Sequence, residues 1–195
     1  MEDLSEKRPW ILIPSWMNIK DSEYWKNQIN KNLVWEQTVV RVYGSLHVAP
    51  RMTNFLSEKH ISYCYSGTKH FGDGWPDWFF PLLESVNFAS KVKFNGCLLN
   101  LYRNGNDRMG WHSDDEAELD LTKPISSLSL GATRDFFLKH RSKNIKEVIT
   151  LRRGDLLIMH PNCQKEWLHS IPTRKKVINQ RINLTFRCYN HNNTG

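Results

Sequence analysis

His112 and Asp114 stand two residues apart in Trp111-His112-Ser113-Asp114-Asp115-Glu116, so on an extended strand both side chains leave from one face. A distant His169 would complete two imidazoles and one carboxylate. That is the facial set that holds non-haem Fe(II) and leaves coordination positions open. Further on, Arg181, Asn183, Thr185 and Arg187 alternate with Ile182, Leu184 and Phe186, which puts the polar set on one face of a strand and the apolar set on the other. Two inward arginines are costly without anionic partners. A dicarboxylate co-substrate would supply them, because guanidinium grips carboxylate bidentately. Asn100 and Tyr102 alternate in the same way over 96–103 and could donate to the same ligand.

Each element has a plainer reading. A His-x-Asp pair is often a turn or surface feature, and His169 in Trp167-Leu168-His169 could be a hydrogen-bonded strand histidine. The polar face of 181–189 could simply meet solvent. The combination is what argues for a site. A hydrolytic zinc centre on the same three ligands would leave Arg181 and Arg187 without partners. A basic β-domain that binds without catalysis would need an incomplete triad or clamp, and both are intact.

The elements that must position these residues follow from the pattern. Residues 21–31 read as a short helix begun at Asp21 or Ser22, and 34–43 turn strand-like before a hairpin at Gly44-Ser45. Residues 61–65 form a short strand, 67–77 a Gly- and Pro-punctuated loop, and Trp78 to Lys91 a helix with Pro81 in its first turn. From Gly96 the texture changes to strands at 96–103, 109–114, 126–132, 134–139, 146–151, 155–160, 167–171 and 181–189. Eight closely spaced strands with polar turns predict a jelly-roll sandwich or barrel. No linker intervenes, so 1–195 reads as one domain: about 1–95 an N-terminal extension and lid, about 96–189 a catalytic β-core. Trp75 and Trp78 read as core packing or as a roof over a nucleotide site, and Trp111, on the face opposite His112, as packing.

A formal net charge of +7 over 195 residues favours a polyanionic partner, nucleic acid above all. The four cysteines, Cys64, Cys97, Cys163 and Cys188, make no CxxC pair, which argues against zinc spacing and a disulfide framework and for a reducing compartment. The start of the chain carries Glu2, Asp3, Glu6, Lys7 and Arg8 and no apolar signal region, and no apolar run is long enough for a membrane span. The expectation is an intracellular protein, cytoplasmic if bacterial and nuclear if eukaryotic, and a monomer.

Asn100-Leu101-Tyr102, Gly105, Asp107, Gly110, His112–Glu116, Ser129–Arg134, His169 and Arg181–Arg187 together resemble the AlkB family of Fe(II)/2-oxoglutarate dioxygenases. The resemblance is dense over 96–189. It reaches back to 38–67, where Val42-Tyr43-Gly44, Pro50-Arg51 and Tyr63-Cys64-Tyr65-Ser66-Gly67 resemble nucleotide-recognition hairpins of DNA-acting members. Arg174-Lys175-Lys176 resembles the members that repair duplex DNA. The fold implied is mostly β with some α, a double-stranded β-helix carrying an N-terminal helix and those hairpins. The cofactors implied are Fe(II), 2-oxoglutarate and O2. His112, Asp114 and His169 would hold iron; Arg181 would bind the distal carboxylate of 2-oxoglutarate and Arg187 the end nearer the metal, with Asn100, Tyr102 and Asn183 assisting.

The activity implied is oxidative removal of N-methyl groups from bases such as 1-methyladenine and 3-methylcytosine, releasing formaldehyde, in single- or double-stranded DNA. Methylated RNA, including transfer RNA, is the alternative substrate. Asp115 would touch the cationic damaged base. Tyr63 would stack on it, a cation–π contact of roughly 1–2 kcal/mol, with Tyr65 and Ser66 beside it. Tyr43, between Val42 and Gly44, is either a wedge that replaces an extruded base or plain hairpin packing. The wedge position holds Phe in the family's duplex-repair pattern, so Tyr43 leaves strand preference open. Arg41, Arg51, Arg174, Lys175 and Lys176 would hold phosphates.

Overall fold

In the computed structural model, residues 8–42, 45–65 and 68–190 are described. The chain opens with β1 (Trp10–Ile13), a short apolar strand, and α1 (Ile19–Asn32). Asn18 caps α1: its Oδ1 accepts from Asp21 N–H at 2.9 Å, so the helix begins at Ile19, two residues before the acidic position expected to start it. Two hairpins and a longer strand follow: β2 (Val39–Val42), β3 (Ser45–Val48), β4 (Met52–Ser57), β5 (Ser62–Tyr65) and β6 (Thr68–Phe71). Strand β6 lies in the stretch expected to be a loop. A 3-10 turn at Asp77–Phe79 leads into α2 (Phe80–Ser90), which ends where Lys91 takes the left-handed conformation, φ 54°.

The remaining strands fall where the sequence pattern put them, within a few residues. They are β7 (Gly96–Tyr102), β8 (Met109–His112), β9 (Ile125–Gly131), β10 (Arg134–His140), β11 (Lys146–Leu151) and β12 (Leu156–Met159). A short helix, α3 (Pro161–Glu166), precedes β13 (Trp167–Ile171), and β14 (Arg181–Arg187) closes the fold. Helix α3 was not anticipated.

Two large antiparallel sheets result, one of six strands in the order β1-β12-β9-β14-β7-β4 and one of four in the order β11-β10-β13-β8, while β2-β3 and β5-β6 form two-stranded sheets of their own. This is the double-stranded β-helix expected, with one addition. The larger sheet takes β1 and β4 from before residue 96, pairing Trp10 with Met159 and Thr53 with Asn100.

Alternation sorts the central strands into two faces. Ile182, Leu184 and Phe186 join Cys97, Leu99, Leu101, Leu128 and Leu130 in a core with Phe79, Leu82 and Val86. Trp75 and Trp78 pack against that core, and Trp75 stacks on Phe79 at 5.5 Å. The opposite face of the same strands looks between the sheets. Trp111 does not join a core: it is 42% exposed, with Lys139 Nζ 4.6 Å over its ring. Among the described residues no helix is long and apolar enough to cross a membrane.

Candidate active site

The space between the sheets is a cavity open to solvent. Its lining includes His112, Asp114 and His169, and also Arg51, Asn100, Tyr102, Glu116, Arg181, Asn183, Thr185 and Arg187. The four polar residues of β14 are 1–8% exposed, so the alternating face turns inward rather than to solvent.

Ladder geometry brings the two histidines together. His112, the last residue of β8, is the register partner of His169 on β13, and the rings lie 4.2 Å apart. Asp114 follows beyond the end of β8. Ligand atoms of all three residues lie within 4.8 Å of one another. A protonated His112 Nδ1 donates to the Gly110 carbonyl at 2.9 Å, which leaves Nε2 on the side of Asp114 Oδ1, 3.7 Å away. His169 is 4% exposed, its ring stacked on Phe136 at 5.1 Å, and its Nδ1 has no hydrogen-bond partner.

Charge states follow from surroundings. Burial would raise the Asp114 carboxyl, but the Arg187 guanidinium, at 2.7 Å, and the two imidazoles outweigh it and hold it at about 2. Burial, reinforced by His112, pushes His169 down to about 3, so it stands as a neutral imidazole. A carboxylate and two imidazoles, of which His169 stands neutral, are a donor set that suits a divalent ion such as Fe(II).

The arginine face is equally constrained. Arg181 donates from Nη2 to Ser129 Oγ at 2.9 Å, while Nε and Nη1 are buried without an acceptor. Burial pushes Arg181 down to about 10, with the Tyr102 phenol opposing. The Tyr102 ring carries the Arg134 and Arg181 guanidinium groups at 5.5 and 5.4 Å. Asn183 donates to Ser127 Oγ at 2.7 Å and to the Leu128 carbonyl at 3.2 Å. A buried guanidinium with two idle donors fits an incoming carboxylate.

Arg51 requires a correction. Expected on the surface against phosphate, it is 3% exposed, lines the cavity and donates from Nε to Asn100 Oδ1 at 2.7 Å. Pairing of β4 with β7 draws it inside. Asp115 sits on the rim, its side chain 55% exposed, accepting from Ser113 Oγ at 2.8 Å and paired with Arg141 at 3.2 Å. Its neighbour Glu116 lines the cavity instead.

Of the basic run, Lys175 and Lys176 are exposed, but Arg174 is bound to Asp135 at 2.6 Å and lies over the Phe137 ring at 5.1 Å. That loop is tied to residues 104–107. Arg174 N–H donates to the Gly105 carbonyl at 2.7 Å, and a Cβ on Gly105 would meet the Arg174 carbonyl oxygen at 1.7 Å. Buried Arg134 donates to the Asp107 carbonyl at 2.8 Å and to the Pro172 carbonyl at 2.6 Å, joining the same two segments.

Tyr43, Gly44 and Ser66 lie outside the described residues, as do the side chains of Arg41, Val42, Tyr63 and Tyr65; β2 and β3 nevertheless form the hairpin expected there. Residues not anticipated from sequence include Ser127, Ser129, Phe136 and Gln164. The serines share the alternation of β9 and could have been read from it. Nothing local marks Phe136 or Gln164.

Residues 10–187 match the 2OG-Fe(II) oxygenase superfamily. The chain is 32% identical over 213 residues to the DNA oxidative demethylase ALKBH2 of Arabidopsis thaliana, covering 95% of this chain and 68% of that protein. It is 36% identical over 156 residues to the DNA oxidative demethylase ALKBH2 of Homo sapiens, covering 76% and 60%. To the alpha-ketoglutarate-dependent dioxygenase alkB homolog 3 of Mus musculus it is 31% identical over 188 residues, covering 90% and 64%. The chain thus spans about 60–68% of the length of these relatives. The fold matches the structure of OsALKBH1 with a TM-score of 0.68 at 17% identity, over 94% of this chain and 98% of that one. It also matches a 2OG-Fe(II) oxygenase family oxidoreductase from Burkholderia pseudomallei, with a TM-score of 0.62 at 13% identity, over 92% and 84%. With the cavity, its inward arginines and a match across 10–187, this chain belongs to the 2OG-Fe(II) oxygenase superfamily and, within it, to the AlkB family.

Proposed function

We propose that this protein is an Fe(II)- and 2-oxoglutarate-dependent dioxygenase that oxidatively demethylates N-alkylated bases of DNA, 1-methyladenine and 3-methylcytosine among them. The observation that carries the reading is the pairing, in one cavity, of a His–Asp–His cluster with a fully buried arginine whose Nε and Nη1 lack acceptors. The relatives named as DNA oxidative demethylases support the substrate class.

In this reading His112, Asp114 and His169 hold iron, and Arg181 and Arg187 grip 2-oxoglutarate with help from Asn100, Tyr102 and Asn183. When bound, iron and O2 together with 2-oxoglutarate, which would be converted to succinate and CO2, would supply an oxidant for the N-methyl carbon, and the resulting N-hydroxymethyl group would leave as formaldehyde. The protein's own tasks are position and exclusion. The sheets keep Asp114 ionised and His169 neutral, and Leu98, Phe136, Met159 and Ile171 line the cavity with apolar surface that limits water. Asp115 at the rim favours a base carrying positive charge. Lys175 and Lys176 hold backbone phosphates without sequence preference, and Tyr43 fills the gap left by the extruded base.

The test is incubation with Fe(II), 2-oxoglutarate and oligonucleotides bearing 1-methyladenine, as single-stranded DNA, duplex DNA and RNA. Formaldehyde and restored adenine in DNA are expected. No formaldehyde on any of the three rejects the oxygenase reading, and turnover on RNA alone rejects the DNA assignment. Tyr43→Ala should slow repair of duplex more than of single strands; equal loss on both rejects the wedge.

A further inference from the structure

We propose that Gln164, on α3, is a positioning residue for the metal site, fixing the main chain at Asp114 so that its carboxylate faces the two histidines. The proposal rests on the metal reading above. His112 and His169 need no such help, because the β8–β13 ladder sets both their backbones and their separation. Asp114 lies two residues past the end of β8, where no ladder partner holds it. Its N–H instead donates to Gln164 Oε1 at 3.0 Å, across fifty residues of sequence. Both residues are buried, 3% and 5% exposed.

The amide orientation is determined by chemistry. A main-chain N–H can only donate, so the oxygen of Gln164 must face Asp114. The nitrogen then points to Met159 Sδ at 3.7 Å. Gln164 also matters because of what pulls the other way. Arg187 Nη2 lies 2.7 Å from Asp114 Oδ1, a charge-assisted contact that would draw the carboxylate toward the arginine if the main chain were loose. With the N–H anchored, the carboxylate reaches Arg187 and the histidines at once. Helix α3 leads directly into β13, so the segment that delivers His169 also holds Asp114. One six-residue helix thereby couples the in-sheet ligand to the one outside it.

Gln164→Met keeps length and volume and replaces the amide oxygen with a thioether, a far weaker acceptor. The measurement is Mn(II) affinity of the full chain, read by electron paramagnetic resonance well below the melting temperature of both proteins, without 2-oxoglutarate or DNA. The wild type is expected to bind, and the variant to bind about 10–100-fold more weakly, the usual effect of losing a group that orients a ligand. Affinity within threefold in a folded variant overturns the proposal, whatever happens to its melting temperature. Failure of the wild type to bind Mn(II) overturns the metal reading itself. Should the variant not fold, amide hydrogen exchange at Asp114 in the wild type decides: strong protection in metal-free protein supports the anchor, and exchange at open-loop rates refutes it.

Discussion

Arg181→Met separates a binding arginine from a structural one. In the wild type, Arg181 is 1% exposed and donates from Nη2 to Ser129 Oγ, while its Nε and Nη1 lack acceptors. Burial lowers its ordinary value of 12.5 to about 10. At about 1.4 kcal/mol per unit, that is roughly 3 kcal/mol set against the charged form in the ligand-free protein. Methionine fills similar space without charge, so removing the guanidinium should leave ligand-free stability unchanged or higher, less the Ser129 bond of roughly 1 kcal/mol. Binding moves the other way. Two charge-assisted bonds to a carboxylate contribute about 1.5–3 kcal/mol each, so their loss should weaken 2-oxoglutarate by ~10²–10⁴. Thermal melts with and without 2-oxoglutarate in the presence of Mn(II), with calorimetry for the affinity, read both quantities. The wild type should gain melting temperature with ligand and the variant should not. A variant that binds 2-oxoglutarate within threefold of wild type, or that melts far below it without ligand, refutes the reasoning.

Two further perturbations probe the rim and the loop scaffold. Arg141 pairs with Asp115 and donates to Ser113 Oγ, so Arg141→Ala should free the Asp115 carboxylate and raise kcat/KM for cationic 1-methyladenine relative to a neutral methylated base; an unchanged ratio disconnects Asp115 from charge recognition. Asp107 accepts from Arg103 N–H and Nε at 2.8 and 2.9 Å. Burial would raise its carboxyl, but Arg103 outweighs that and holds it below the ordinary 3.8. Its contribution is therefore fully present above about pH 3.8 and lost as pH falls through the depressed value. Asp107→Asn should lower the melting temperature at pH 7, and the gap should narrow as pH falls below about 3.8; a gap that shows no narrowing below that value removes the ion pair as its cause.

Much of this architecture can be read from residues in order, and what cannot has a physical reason. The eight strands after Gly96 are legible because runs such as Arg181–Arg187 alternate and are bounded by turns. Strand β1, Trp-Ile-Leu-Ile, has no alternation, since four apolar residues in a row fit a strand or a helix equally. Strand β4 is recognisable only through its partner β7, over forty residues away, and with it went the burial of Arg51. The ligand set is legible because a two-residue spacing and an alternating strand are local. Gln164 touches Asp114 through a fold-made contact that leaves no local trace.

Charge in the cavity makes one more demand. Arg51, Arg181 and Arg187 face Asp114 and Glu116 there, which leaves one positive charge when the imidazoles are neutral. A divalent cation entering alone raises that to three among buried guanidinium groups. A dianion entering alone lowers it to minus one and satisfies the idle donors of Arg181. With both present, the cavity returns to its starting charge. Each ligand should therefore tighten the other, and linkage requires the same factor in both directions. For a typical coupling of about 1–3 kcal/mol the factor is roughly 5–150. Mn(II) titrations with and without saturating 2-oxoglutarate measure it. Succinate, a dicarboxylate without the keto group, tells whether charge alone produces the coupling. Equal tightening by both dianions assigns the effect to charge, and a factor near one for 2-oxoglutarate shows that the three arginines do not act on the metal as a common field.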